Sequence, residues 1–489
     1  MYRGRAALCL SLLLCSGVVC LGARAAEPAS AANNDLRQRL TEREDQRRPK
    51  EPWSTELGGR PLFVSGEYEV LLDHLRRRVV GDPVPERDQL FLEQGIETEV
   101  FYSFGPQISM LAQVRLMMEE DLFSDSFEEV SDHYLERGEL WVYSGDIAGS
   151  GVNVDLGRLN FEDDRRWWWD TDLDALRVEY ESKAVDVAVA VARELASERS
   201  DRSWIDPEHD RVFRTMLEFT WDWRRHHGLE LFALYHSDRS SPERVGDVRR
   251  LEREDESDAR LIWIGARLMG AIELRSEHIL GYWLDVAAVR GKERFAELDD
   301  ISSRRSRVDA VARRDVRGRA LDAGLSWILP RAGDPRLFAG YARGSGDSRP
   351  DSGTDRGFRQ TGLQANEAGF GGVQRFAHYG LALDPELSNL QIWTLGVGRS
   401  LLDSSSLDLV YHYYRLLEPA DALRDARIEA SLDERHRDLG HGIDLVLAIE
   451  EWERFELELQ AFAFRAGRAF GREEGDWSYG GLLSARFAF

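Results

Sequence analysis

Apolar and polar residues alternate along most of this chain with a period of two. Val185, Val187, Val189 and Val191 share one face, and Ala184, Asp186, Ala188 and Ala190 share the other. Phe213, Leu217, Phe219 and Trp221 alternate in the same way with Arg214, Met216, Glu218 and Asp222. Phe455, Leu457 and Leu459 do so with Arg454, Glu456, Glu458 and Gln460. Successive side chains of an extended strand point to opposite faces, so each stretch predicts a strand with one apolar and one polar side. About 18 such segments can be placed. They lie near 61–71, 95–105, 108–119, 135–144, 152–161, 173–182, 184–196, 211–223 and 228–237. The others lie near 259–269, 272–290, 315–329, 335–344, 389–400, 406–416, 440–449, 452–464 and 479–489.

The connections alternate in length. Short ones fall at 105–107, 145–151, 182–183, 224–227, 270–271, 330–334, 402–405 and 450–451, and long polar ones fill every other gap, the longest from Ser345 to Ser388. Short turns at one end and long loops at the other predict an all-β fold, a transmembrane antiparallel β-barrel of outer-membrane type with about 18 strands. A soluble sandwich rarely needs so many strands in one domain and gives no reason for the alternation of loop length. Trp221, Trp223, Tyr282 and Tyr479 stand at the ends of the apolar faces, where an interfacial girdle belongs. No stretch beyond the N-terminal segment has 18 consecutive apolar residues, so no transmembrane helix is expected. The last segment runs from Tyr479 to a terminal Phe489. It resembles the signal read by the outer-membrane barrel assembly machinery, which joins the lipid bilayer as an expected partner.

Composition sharpens this picture. A mean hydropathy of −0.44 is what strands with only one lipid-facing side give on average. Asp and Glu number 88 against 64 Lys and Arg, for a net charge of −24, which argues against a nucleic-acid partner. Only Lys50, Lys183 and Lys292 are lysines, leaving 61 arginines, the side chain that grips carboxylates with two parallel bonds. Met1 to Ala26 reads as a secretory signal peptide, with Arg3 and Arg5, an apolar run, and the small-residue cleavage site Ala23–Ala25. It holds all three cysteines, Cys9, Cys15 and Cys20, so disulfides, thiol chemistry and cysteine-ligated metals are excluded from the mature chain. Losing Arg3, Arg5 and Arg24 takes three positives from −24 and moves the mature charge to −27. The domain reading is a signal peptide at 1–26, a polar periplasmic lead-in at 27–60 and the barrel at 61–489.

With the apolar faces on lipid, alternation places Arg115, Arg137, Arg177, Arg214, Arg267, Arg454 and Arg486 in the lumen, beside Glu139, Glu179, Glu218, Asp285, Glu456 and Glu458. Such a mixed lining has two readings: arginine–carboxylate ladders that brace the wall, or a constriction that selects anions. Met117 to Asp132 is an acidic loop, a solvated face or a divalent-cation surface. Trp167, Trp168 and Trp169 break the alternation, and either pack under loops or offer a stacking platform for sugar rings. The 11 histidines form no metal or catalytic pattern, and Gly344-Ser345-Gly346 is no nucleophile elbow. No enzymatic activity, cofactor or metal is expected.

From Gly340 onward the motif order resembles the alginate export protein family of Gram-negative outer membranes. It rests on Gly340-Tyr-Ala-Arg-Gly-Ser-Gly346, Gln360-Thr-Gly-Leu363, Asn366-Glu367, Val373-Gln-Arg-Phe376, Glu386-Leu-Ser-Asn-Leu-Gln391, Leu409-Val-Tyr-His412 and Asp444-Leu-Val446. Upstream, Glu139-Leu-Trp-Val142, Gly157-Arg158 and the Trp167–Asp170 run also resemble it, so the ordered set covers roughly residues 135–489. The resemblance implies a barrel through which a linear polyuronate, alginate, leaves the cell, with periplasmic secretion components as partners. It implies channel-lining roles for Arg137, Glu139, Arg158, Arg199, Asp201, Arg343 and Arg375, to which strand parity adds Arg115 and Arg177. Arg158 shares parity with the apolar Val154 and Leu156 unless Gly157 marks a bulge. Two departures stand out: Glu458 and Gln460 occupy positions where the family can place arginines, and its long periplasmic plug turn is reduced to Glu450–Glu451. The first functional expectation is export of an anionic exopolysaccharide. The alternative is a general or small-anion uptake porin, and an outer-membrane enzyme acting on polysaccharide comes third.

Overall fold

The computed structural model describes residues 53–489 apart from 78, 81–87, 125–129, 208, 241–243, 256, 275–276, 303 and 350–351. The signal-peptide reading and most of the lead-in therefore lie outside the described residues, as do residues 125–129 of the acidic stretch Met117–Asp132, expected as a loop but with both ends in strands. Eighteen strands close into one antiparallel barrel. In chain order they are β1 (Arg60–Arg76), β2 (Gln89–Gly105), β3 (Ile108–Ser124), β4 (Ser131–Ser144), β5 (Val152–Glu162) and β6 (Asp170–Glu181). Next come β7 (Val185–Ala192), β8 (Phe213–Arg224), β9 (His227–Ser237), β10 (Ser257–Glu273), β11 (Ile279–Ser302) and β12 (Arg305–Ile328). The last are β13 (Arg336–Gly344), β14 (Leu390–Leu402), β15 (Ser405–Leu416), β16 (Asp438–Trp452), β17 (Phe455–Ala466) and β18 (Trp477–Ala488). Each expected segment corresponds to one strand.

Neighbours in sequence are neighbours in the wall, and β18 closes on β1 from Glu67↔Ala488 to Arg76↔Tyr479. At the seam the Phe489 N–H donates to the Gly66 carbonyl at 2.8 Å and the Gly66 N–H to the Phe489 carbonyl at 3.0 Å. Gly66 is required there, because a Cβ would meet the Phe489 ring at 2.4 Å. A fully exposed strand, Trp53–Leu57, folds back on β1 and extends the wall below the terminal residue. Leu176, Val178, Leu217, Leu231, Ile264, Leu325, Leu395 and Leu459 are exposed, which is the arrangement of a barrel whose apolar side meets lipid.

Two expectations about connections are corrected. Between β11 and β12 lies no long loop: both strands run for 24 residues and only 303–304 separates them. Above the membrane neither face of a hairpin meets lipid, so apolar alternation fades although the ladder continues from Arg290↔Arg317 to Ser302↔Arg305. The short turns expected at 270–271 and 450–451 fall at 274–278 and 453–454, because the strands continue past their last alternating residues.

The wall also has an exchange. β4 pairs with β5 only from Leu140↔Arg158 to Ser144↔Val154, and β6 meets β7 only as far up as Ala175↔Ala192. Above these points the β5–β6 hairpin turns into the lumen, with Leu159, Phe161 and Leu173 buried. The vacated edge of β4 is taken by the β7–β8 loop. The Arg137 N–H donates to the Glu198 carbonyl at 2.8 Å, the Ser200 N–H to the Leu135 carbonyl at 2.9 Å, and Glu136 pairs with Arg199. The pivot is Gly157, with φ of 140°, where a Cβ would lie 2.0 Å from the Leu140 carbonyl oxygen. No other residue fits that turn.

Candidate functional site: the lumen and its two inward loops

The tip of the β5–β6 hairpin, residues 163–169, reaches across the lumen to the opposite wall. Arg267 on β10 is fully buried and holds it, with Nη1 2.6 Å from Asp163 Oδ1, Nε 2.6 Å from Asp285 and Nη1 3.3 Å from Glu230. Asp163 Oδ2 in turn accepts the N–H groups of Trp168 at 2.7 Å and Trp169 at 3.0 Å. Burial opposes the charge of Asp163, but Arg267 and these two N–H groups outweigh it and hold its pKa below the ordinary carboxylate value. Arg165 joins the same network, 3.2 Å from Asp322 and 4.5 Å from the centre of the Trp283 ring. The three tryptophans are buried, with Trp168 stacked on Phe232 at 4.9 Å. They pack under loops, so no stacking platform for sugars is formed.

The longest loop, 345–389 between β13 and β14, also lies inside the barrel. Phe358, Leu363, Phe370, Phe376, Leu383 and Leu387 are buried with the tryptophans in one apolar cluster. The two loops are joined where Trp167 Nε1 donates to Tyr379 Oη at 2.7 Å and Tyr379 Oη to Asp322 at 2.9 Å. They also meet at Glu162, which pairs with Arg375 of the long loop and with Arg166 at 3.1 Å. Below this junction a cavity of about 100 Å³ is lined by Glu162, Arg177, Glu179, Asp186 and Glu218.

Asp384, deep in the long loop, has its pKa raised to about 7 by burial, with Glu367, Asp425 and Asp444 adding to the effect and Arg427 opposing it. A carboxyl with a raised folded-state value stabilises the fold most when protonated, and that contribution is lost as pH rises through about 7. The seat of this loop is therefore expected to loosen between pH 5 and pH 8, read as faster proteolysis within 345–389, and Asp384→Asn should abolish the difference. Equal cleavage of the native chain at both pH values would contradict this.

The residues expected to line the channel fall into three groups. Arg177 lines the Glu162 cavity and lies 3.0 Å from Asp155, and Arg375 pairs with Glu162 from the long loop. Arg115 on β3 is 2.6 Å from Glu97 and 3.0 Å from Glu136, in the manner of a bracing ladder. A second group gathers at the exchange in the wall. Arg158 keeps the outward parity of Leu156 and is buried beneath the β7–β8 loop, 3.0 Å from Glu194 and paired also with Glu198. Gly157 therefore marks a pivot and shifts no register between β5 and β6. Arg137 reaches Asp174 at 2.6 Å on the same outer surface. A bulge opposite Gln113 separates its parity from that of Glu139, whose carboxylate accepts the Trp141 indole N–H at 2.8 Å. Arg199 lies in the inserted segment over the Tyr134 ring, 3.1 Å from Asp201 and 3.0 Å from Asp132. The third group is Arg343 alone, exposed near the top of β13 on the face that carries Leu337 and Ala339.

Asp163, Arg165, Glu230, Asp322 and Tyr379 were not foreseen as parts of the lumen network. Only the break in alternation at the tryptophans marked the hairpin tip, and nothing in the sequence gave its direction. Arg486 similarly gathers Glu67 at 2.7 Å, Glu69 at 3.3 Å and Glu456 at 3.4 Å, and Arg336 is 2.9 Å from Asp408. The lumen arginines are thus largely engaged by carboxylates of neighbouring strands.

The family model for alginate export matches residues 85–479. The alginate production protein AlgE of Pseudomonas aeruginosa is 29% identical over 327 residues, covering 65% of this chain and 64% of that protein. The protein of the same name from Azotobacter vinelandii is 24% identical over 291 residues, covering 57% and 58%. The chain thus aligns with less than two thirds of the length of these relatives. Among solved structures, OccK7 (OpdD) of P. aeruginosa superposes with a TM-score of 0.52 at 14% identity, over 88% of this chain and 99% of that one. OccK11 (OpdR) of the same organism gives 0.51 at 12% identity, over 87% and 96%. These two likenesses carry the fold alone, which is that of the sequence expectation. With the family model spanning most of the barrel, the chain belongs to the alginate export family of outer-membrane β-barrels.

Proposed function

We propose that this barrel exports an anionic exopolysaccharide, an alginate-like polyuronate, without a cofactor and without chemical change to the polymer. The observation that carries the reading, beside family membership, is the meeting of both inward loops at Glu162, where Arg166 and Arg375 share one carboxylate above a cavity bordered by Arg177. A guanidinium held by a wall carboxylate is extended and ready to exchange that partner for a carboxylate of the polymer. Exchange along several weak sites lets a substrate both enter and leave. Arg115, Arg375 and Arg486 keep 35%, 32% and 39% of their side-chain surface exposed, enough for such exchange. Arg343, on the outward face, takes no part.

Planar-bilayer recording on the purified chain tests this. Anion preference and block by added polymannuronate are expected. Arg177→Gln with Arg375→Gln should weaken the block about tenfold, the effect of losing ~1.4 kcal/mol of binding. Cation preference, or current indifferent to the polymer, would sink the reading.

A second reading, a small-anion uptake porin, is favoured by one observation: the long loop sits inside the barrel and narrows it, as in an open pore with a fixed constriction. Liposome swelling in small sugars at the rate of an open porin would select it over export.

A further inference from the structure

Above the lipid-facing belt, the outward surface of β10 to β13 carries cations that the channel reading leaves unused. On each of these four adjacent strands the first outward position above the apolar residues is an arginine. Arg260 follows Ile262, Arg290 follows Ala288, Arg319 follows Leu321 and Arg343 follows Tyr341. All four are exposed, and none has a carboxylate partner among the described residues. On the flanking strands the outward series differs: β9 ends with Tyr235 and Ser237, and β14 begins with Gln391 and Trp393.

The ladder makes the arrangement costlier. Arg290 stands directly opposite Arg317 on the outer face of the β11–β12 hairpin. Like charges facing each other across strands destabilise a sheet. Asp315, opposite Lys292 and 4.0 Å from Arg317, and Asp258, opposite Arg294, lie on the same face and are fewer than its cations. A chain with net charge −24 has ample carboxylates to place here and places arginines instead. Directly below, the same strands present the exposed apolar side chains of Ile262, Ile264, Leu284, Val286 and Leu325. Cations above an apolar belt, at the level where the long-loop end of the barrel leaves the membrane, have the form of a site for an anionic amphiphile.

We propose that this face binds the phosphorylated saccharide headgroup of an outer-leaflet glycolipid, with the acyl chains lying against the apolar belt beneath. Guanidinium groups take phosphate oxygens in pairs, and several arginines on adjacent strands match a headgroup that carries more than one phosphate. A phosphate between Arg290 and Arg317 also removes the repulsion across the ladder.

The test uses the full folded barrel in mixed micelles with a bis-phosphorylated glucosamine glycolipid, and native mass spectrometry to count retained lipid. The native chain should retain it at least tenfold better than the triple variant Arg290→Gln, Arg317→Gln, Arg319→Gln. The dephosphorylated glycolipid should be retained by the native chain no better than by that variant. Heat-modifiable mobility on a gel verifies that the variant is folded, and unchanged channel conductance separates this face from the lumen. Equal retention by the folded variant, or equal retention of the dephosphorylated lipid, would overturn the proposal. So would full displacement by inorganic phosphate, which marks a plain anion site, or by polyuronate, which marks a polymer track.

Discussion

Arg267→Leu is expected to destabilise the barrel by about 3–5 kcal/mol and to raise its single-channel conductance, the two effects having one origin. Arg267 is completely buried and is shared by Asp163, Asp285 and Glu230. Removing it leaves three carboxylates facing one another in a site from which water is excluded, and an uncompensated buried charge is far more costly than a lost surface pair. The structure can relieve the repulsion by withdrawing Asp163, and with it the hairpin tip 163–169, from the β9–β11 wall. The lumen then widens. Denaturant unfolding of the folded protein and bilayer recordings read the two effects. Adding Asp163→Asn and Asp285→Asn to the variant should recover much of the stability while leaving the tip unlatched. A single variant with native midpoint and native conductance would show that the network does not hold the loop.

The second large effect is expected at Trp168. Its ring is 1% exposed and stacks on Phe232 at 4.9 Å with an interplanar angle of 20°. It lies on Gly265, where a Cβ would come within 2.2 Å of the ring, so wall and ring are fitted to each other. Truncating a buried aromatic costs ~3–5 kcal/mol, since transfer and cavity terms add. Trp168→Ala should therefore free the hairpin tip. The neighbouring Trp167–Tyr379 hydrogen bond ties that tip to the long loop, so the long loop should loosen as well. Faster cleavage at both 163–169 and 345–389 is the expected signature, with Trp168→Phe close to native. Cleavage confined to 163–169 would show that the two loops move independently.

The barrel was legible because lipid imposes its demand on every second residue. Val189, Leu217 and Leu459, read as lipid-facing from alternation, are among the exposed apolar side chains. The rule fails where lipid is absent. The upper halves of β11 and β12 carry no regular apolar alternation and so read as loop, although they pair without interruption from Arg290 to Glu297. Inside the barrel, parity gave a face but neither partners nor direction. It put Arg267 inward, yet Asp163 reaches it from a hairpin more than a hundred residues earlier in the chain. Arg137 and Arg158 show the opposite limit. A bulge opposite Gln113 sets Arg137 on the outer surface and leaves no mark in a period of two, whereas Arg158 keeps the outward parity of Leu156 and only its cover, the β7–β8 loop, went unread.

The replacement of the β5–β6 hairpin by the β7–β8 loop along β4 sets an order on assembly. An ordinary barrel strand finds its partner a few residues away, across a turn. The upper edge of β4 finds its own in Ser200, 65 residues beyond Leu135. Strands added in chain order leave that edge open until β7 is in place, and by then the hairpin has entered the lumen. Closure of this one gap therefore depends on a contact between segments 65 residues apart, where an ordinary hairpin closes across a turn. Residues 196–200 thus serve as wall at that point, a stopper drawn from a loop.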